Sequence, residues 1–181
     1  MTERPTTERA GTEDMASRRG VVTTEDDGRQ RLEFRRSWPD PIEDVWSAVT
    51  EPDRLARWIG VYEGARGPGG TGTFAMTQEQ GDHAGSPTRI VECDPPRRLV
   101  VEWVQEGSEN WRVDLDLWAE DGRTVLRFVQ FFPAGADVTD MALGWHWYLD
   151  QLGAEIDGGN PHGDWDAFVA VTAPAYGRPP S

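Results

Sequence analysis

His146, His162, Asp164 and Asp166 are residue types that ligate metal ions, and the last three fall within five residues. They follow Gly158-Gly159-Asn160-Pro161, in a stretch with too little apolar patterning to hold ligand geometry. A solvated loop is therefore expected there, and no metal centre. The glycine-rich run Gly67-Pro68-Gly69-Gly70-Thr71-Gly72 invites a phosphate-loop reading. It lacks both the GxGxxG and the GxxxxGK[ST] spacing, and no lysine is present to reach a phosphate, so a hairpin loop or flap is expected. Cys93 sits within a strand pattern, where a thiol usually packs as a small hydrophobe. No serine lies in a Gly-x-Ser-x-Gly context, so no nucleophilic triad can be assigned. Asp114, Asp116 and Glu102 alternate with apolar residues and are expected on a solvated face. No catalytic residue and no cofactor are expected.

The tryptophans carry more information. Trp58, Trp103 and Trp145 come from a predicted helix, a strand and a last helix, each on an inward face. An indole that is buried still needs an acceptor for its N–H, which a core partner or a ligand can supply. Gln130 is polar on an otherwise apolar strand face beside Phe128. Apolar walls with a few convergent polar groups describe a small-molecule pocket. Plain core filling and a pocket both remain open at this point.

These residues need elements to position them. Gly20–Thr24 and 31–35 flank Asp26-Asp27-Gly28, a hairpin signature. Asp40-Pro41-Ile42-Glu43 predicts a helix start, with Asp40 as cap and Glu43 completing a capping box. Ile42, Val45, Trp46 and Val49 then follow the i, i+3, i+4, i+7 stripe, and Pro52 opens a second short helix bearing Leu55, Trp58 and Ile59. Five strands are predicted next: around Phe74 and Met76, Ile90 to Cys93, Leu99 to Val104, Trp111 to Trp118, and Val125 to Phe132. Tight turns between them imply an antiparallel sheet. A last helix over 137–157 places Met141, Trp145, Leu149, Leu152 and Ile156 on one face. The plan is α+β, with that helix covering the sheet. Trp46 and Trp111 are expected in the core, and Trp118 outside it.

The 181 residues predict one domain with tails. Residues 1–19 lack Leu, Ile, Val, Phe, Trp and Tyr and are expected to be disordered. The domain is expected over 20–157 and a mostly loop extension over 158–181. Eighteen basic residues, all arginine, against 32 acidic ones give a net charge of −14. Such a surface repels phosphate backbones and anionic lipid, so neither nucleic acid nor membrane is an expected partner. No apolar run approaches membrane-spanning length, the start lacks a secretory signal pattern, and the lone Cys93 excludes an internal disulfide. A cytoplasmic protein, monomer or homodimer, is expected.

Four ordered motifs resemble a known family. They are Arg35 to Trp46 as a first strand and helix, Ala48-Val49-Thr50-Glu51-Pro52-Asp53-Arg54-Leu55-Ala56-Arg57-Trp58, the turn Glu92-Cys93-Asp94-Pro95-Pro96-Arg97-Arg98-Leu99 with Trp103 behind it, and Gly144-Trp145 with Leu149 and Leu152. The family is the bacterial activator of heat-shock protein 90 ATPase-like group of the START-like SRPBCC superfamily. The resemblance spans about Gly20 to Asp157. It implies a helix-grip (START-like or Bet v 1-like) fold: a curved antiparallel sheet wrapped around a long C-terminal helix, two short helices following the first strand, and a cavity between sheet and helix. It makes cavity-lining candidates of Trp58, Trp103, Phe128, Gln130 and Trp145, joined by Phe74, Met76, Val101, Leu115 and Leu149. It implies a small apolar or aromatic ligand, with a chaperone-directed interaction module or a polyketide aromatase/cyclase-like enzyme as alternatives. Many relatives carry a histidine near position 130, where this chain has Gln130, and an amide cannot titrate.

Overall fold

The computed structural model describes residues 17–77, 84–159 and 163–178. Among the described residues one antiparallel sheet contains every strand: β1 (Val21–Thr24), β2 (Gln30–Trp38), β3 (Val61–Gly64), β4 (Thr71–Ala75), β5 (Ser86–Asp94), β6 (Arg98–Trp103), β7 (Trp111–Glu120) and β8 (Arg123–Phe132). The spatial order is β1-β2-β8-β7-β6-β5-β4-β3, so the first hairpin docks on the last strand. Leu32, Phe34 and Trp38 alternate inward on β2 while Arg35 and Ser37 face solvent, the period of two that a half-buried strand imposes. The Asp121-Gly122 turn closes β7 onto β8, with Leu117 opposite Leu126 and Leu115 opposite Phe128.

Two short helices follow β2: α1 (Ile42–Thr50) and α2 (Pro52–Trp58). Long helix α3 (Thr139–Ile156) lies across the concave face and buries Trp145, Leu149 and Leu152 in one core with Phe34, Leu126 and Phe128 of the sheet. The helix-grip arrangement expected from the sequence is therefore the one found. Gly60 joins α2 to β3, and a Cβ there would fall 2.1 Å from the Ala75 carbonyl oxygen, so only glycine allows this close approach. Among the described residues no helix is long and apolar enough to cross a membrane.

Several expectations need correction. Helix α1 begins one residue late, which puts Pro41 in the cap position, and no side chain caps it. The Asp40 carbonyl instead accepts the Thr124 hydroxyl at 2.7 Å. Strand β3 was not anticipated. Trp111 is 47% exposed rather than in the core; it is the first residue of β7, opposite Trp103 at the end of β6. The described residues of the 158–181 extension are not mostly loop: α4 (Trp165–Thr172) is capped by Asp164, whose carboxylate accepts the Ala167 N–H, and a 3-10 turn follows over Ala173–Tyr176. Phe168 and Trp165 stack edge-on against Trp147 of α3, which fastens this helix down. Residues 1–16 and His162 lie outside the described residues. Residues 17–19 are placed: the Arg18 carbonyl accepts from Arg36, and Arg19 donates to the Ala175 carbonyl.

Asp114, Asp116 and Glu102 are also less solvated than expected. Arg98 bridges Asp114 and Asp116 at 2.7 and 2.6 Å, Arg112 adds two bonds to Asp114 and Arg127 two to Asp116, and Arg89 holds Glu102 at 2.6 Å. These pairs form a ladder of ionic contacts on the outer face. The guanidinium groups hold the Asp114 carboxyl below the usual range against the opposing effect of burial.

Candidate ligand cavity

Between the concave face of the sheet, α1, α2 and α3 lies a cavity of about 250 Å³. Helix α2 positions Trp58, whose indole N–H donates to the Ala48 carbonyl of α1 at 2.9 Å and so locks the two short helices together. Helix α3 positions Trp145, whose N–H donates to Gln130 Oε1 at 2.7 Å. Trp103 enters from β6. It meets Phe74 edge-on with ring centres 5.6 Å apart and Trp145 at 6.3 Å, while Phe128 lies 4.5 Å from Trp145. The rings form a continuous aromatic wall, an arrangement favoured by the quadrupoles of tilted and edge-to-face pairs.

Eight of the ten candidates face this space: Trp58, Phe74, Val101, Trp103, Leu115, Phe128, Trp145 and Leu149. The structure does not bring Met76 and Gln130 there. Met76 packs half-buried at the core edge just past β4, and Gln130 is fully buried behind Trp145, opposite Leu32. The even spacing of β8 puts Gln130 on the same face as Phe128, but the indole of Trp145 intervenes. Gln130 thus positions a wall residue and is not itself wall.

Sequence reasoning missed other lining residues. Trp46 and Val49 lie on the α1 stripe that was read only as core, and Thr88 and Ile90 alternate inward on β5. Cys93 and Pro95, in the β5–β6 turn motif, also line the cavity. The signal was present in each case: the inward face of an element, once the fold leaves space beneath it.

Charged groups stay at the rim. Glu51 and Arg66 both line the opening, are about half exposed and pair at 3.5 Å. Burial pushes the Tyr62 hydroxyl and the Cys93 thiol up from their ordinary values, and Asp94 adds to the effect at Cys93. Both groups are consequently protonated at neutral pH. The rest of the wall is apolar, apart from the Thr50 and Thr88 hydroxyls, which donate to the Trp46 and Ser86 carbonyls. Among the described residues no group of three or more His, Cys, Asp or Glu side chains could hold a metal ion.

A buried polar cluster stands apart from the cavity. The Tyr176 hydroxyl accepts the Gly20 N–H at 2.8 Å and lies 3.0 Å from His146 Nδ1. His146 Nε2 is 3.5 Å from Asp150, which also pairs with Arg36 and Arg18. The assignment that uses every group has Tyr176 donate to Nδ1 and leaves the proton on Nε2 toward Asp150. Burial, followed by the charges of Arg36 and Arg18, lowers His146 to about 3.

Comparison with known proteins places these features in context. The family model described as "Activator of Hsp90 ATPase homolog 1-like protein" matches residues 40–157. The crystal structure of CalU16 from Micromonospora echinospora is similar at 30% identity over 87% of this chain and 93% of that one, with a TM-score of 0.67. The protein encoded by BPP1335 from Bordetella parapertussis is similar at 25% identity, over 87% and 89% of the two chains, with a TM-score of 0.67. DynU16, a protein in the dynemicin biosynthetic locus, shares the fold at 24% identity, over 77% of this chain and 51% of that one, with a TM-score of 0.64. No curated protein matches the chain.

Proposed function

Because the chain belongs to the Activator of Hsp90 ATPase homolog 1-like family, we propose that it is a binding protein for a small, uncharged, largely aromatic ligand held between sheet and long helix. The observation that carries this reading is the cavity of about 250 Å³, walled by Trp58, Trp103 and Trp145 and free of charge except at its rim. Enclosing an aromatic molecule there removes apolar surface from water on both sides, worth about 25 cal/mol per Å² before the cost of ordering. Tilted ring contacts add geometric selection for flat ligands. The reading assigns no catalysis. Burial holds Tyr62 and Cys93 protonated at neutral pH, and Glu51 and Arg66 pair with one another at the exposed rim. The net charge of −14 supports a role without polyanionic partners.

Titration of the whole protein with neutral polycyclic aromatics, followed by tryptophan fluorescence and thermal shift, tests the reading. Saturable quenching with a raised melting temperature is expected. Indifference to the entire panel would overturn it.

A further inference from the structure

Thr88 stands on the inward face of β5, in line with Ile90, and is only 4% exposed. It is a polar residue in the lining of the aromatic cavity. Across the sheet it lies opposite Trp103 of β6 on one side and Gly72 of β4 on the other. Gly72 puts no side chain into this space, and a Cβ there would fall 2.9 Å from a ring carbon of Tyr62. The Tyr62 ring therefore lies over Gly72, one strand away from Thr88. Two aromatic lining residues, Tyr62 and Trp103, thus flank this hydroxyl.

The direction of its proton decides what Thr88 can offer a ligand. Its Oγ1 donates to the Ser86 carbonyl at 3.0 Å. Thr50 likewise donates to the Trp46 carbonyl at 2.7 Å, and Tyr62 to the Ala65 carbonyl at 2.7 Å. A hydroxyl has one proton to give and lone pairs that accept, so all three oxygens are left as acceptors. The indoles of Trp58 and Trp145 have committed their N–H groups to Ala48 and Gln130. Cys93, held protonated, is a weak partner in either role. Depth separates the three hydroxyls. Tyr62 makes its bond at the exposed rim, and Thr50 adjoins the half-exposed Glu51, so water can serve a ligand at both. Thr88 is shut away from water.

A ligand entering an apolar cavity gives up its bonds to water, and a polar group that finds no partner inside costs affinity. A ligand carbonyl or ether oxygen set against Thr88 would meet lone pairs with lone pairs. Turning the Thr88 proton toward it would take that proton from the Ser86 carbonyl, with no net gain. A ligand O–H meets a ready acceptor. We propose, building on the ligand-cavity reading above, that Thr88 is a specificity-determining residue and that the ligand class is the hydroxyarenes, with a phenolic hydroxyl donating to Thr88 Oγ1 and its ring between Tyr62 and Trp103.

The test measures the affinities of the whole protein for 2-naphthol and 2-methoxynaphthalene by calorimetry at neutral pH. Both have the same ring system and an oxygen that accepts, but only naphthol has a proton to donate. The readout is the ratio of the two affinities, because the methyl group adds burial of its own. Thr88→Val keeps the shape and removes the acceptor. It should lower the ratio about fivefold, through weaker naphthol binding alone, as befits one net hydrogen bond. Thr88→Ser restores the hydroxyl and should restore the ratio. A merely structural role would weaken both probes together, and an unchanged ratio in Thr88→Val would overturn the proposal while leaving the cavity reading intact. Thr88→Cys, whose sulfur is a weak acceptor, gives the same readout if the valine variant does not fold. Failure of both naphthalenes to bind the wild type would overturn the cavity reading, and this proposal with it.

Discussion

The Trp145 indole N–H donates to Gln130 Oε1 at 2.7 Å, and both side chains are buried. This pair fixes the orientation of the ring that forms the centre of the cavity wall. Gln130→Leu keeps the volume and removes the acceptor, which strands a buried donor. The variant should lose about 1–3 kcal/mol, read from the urea midpoint, with altered Trp145 fluorescence. An unchanged midpoint would show that the indole finds another acceptor.

Trp145 itself contacts Phe128, Trp103 and Tyr148. Trp145→Ala should destabilise the fold by roughly 3–5 kcal/mol, because the lost ring leaves a hole that the surrounding sheet cannot fully close. A wild-type denaturant midpoint would contradict the burial of this residue.

How far the residues announced this arrangement depends on the element. Trp58, Trp103 and Trp145 were placed inward by helical and strand periodicity alone, although Trp58 ends α2 and Trp103 ends β6 and only Trp145 sits mid-element. Trp111 has the same period as Val113 but is exposed at the first position of β7, and sequence period does not report where along a strand burial begins. Helix α4 was legible in principle. Asp164 as cap and Trp165, Phe168, Val169 and Thr172 at helical spacing are its signature, but Gly158-Gly159 and the short length masked it. Gln130 was expected to line the cavity, and instead it lies buried behind Trp145. Its partner Trp145 comes from another element, and pattern within one strand cannot show which of two neighbours faces the cavity.

His146 should make the protein acid-sensitive. In the folded state its pKa is about 3, against an ordinary value of 6.5. The folded pKa is depressed, so between these values the unfolded chain takes up a proton that the folded chain refuses. The contribution is intact above the ordinary value and declines as pH falls, by about 1.4 kcal/mol per pH unit. Urea midpoints at about pH 7 and about pH 5 should diverge in wild type, and the gap should shrink in His146→Phe. Equal gaps would remove His146 as the cause.

Glu155, buried on α3, is held by Arg54 at 2.8 Å and Arg57 at 3.3 Å, and Arg54 also reaches Asp44 of α1. The three helices around the cavity thus share one ionic junction. Arg54→Met should cost roughly 3 kcal/mol by leaving a buried carboxylate short of a partner. Substituting Glu155→Leu together with it should recover part of that loss, a comparison that thermal denaturation resolves.

Cys93 lines the cavity and is the chain's one cysteine. Its raised pKa predicts slow reaction with maleimide at neutral pH. The neutral fluorophore phenylnaphthylamine, once bound, should slow labelling further, as mass spectrometry would record. Labelling that is indifferent to saturating fluorophore would place the bound probe elsewhere.

The bonds from Gly20 to Tyr176 and from Arg19 to the Ala175 carbonyl join positions 156 residues apart in sequence. The two ends of the described chain are consequently neighbours in space, and none of these four residues lines the aromatic cavity. The described chain is nearly a closed ring. Joining residue 178 to residue 17 through a short linker and reopening the chain at the exposed Asp26-Asp27-Gly28 turn would leave every cavity-lining residue in place, since none of these positions lines the cavity.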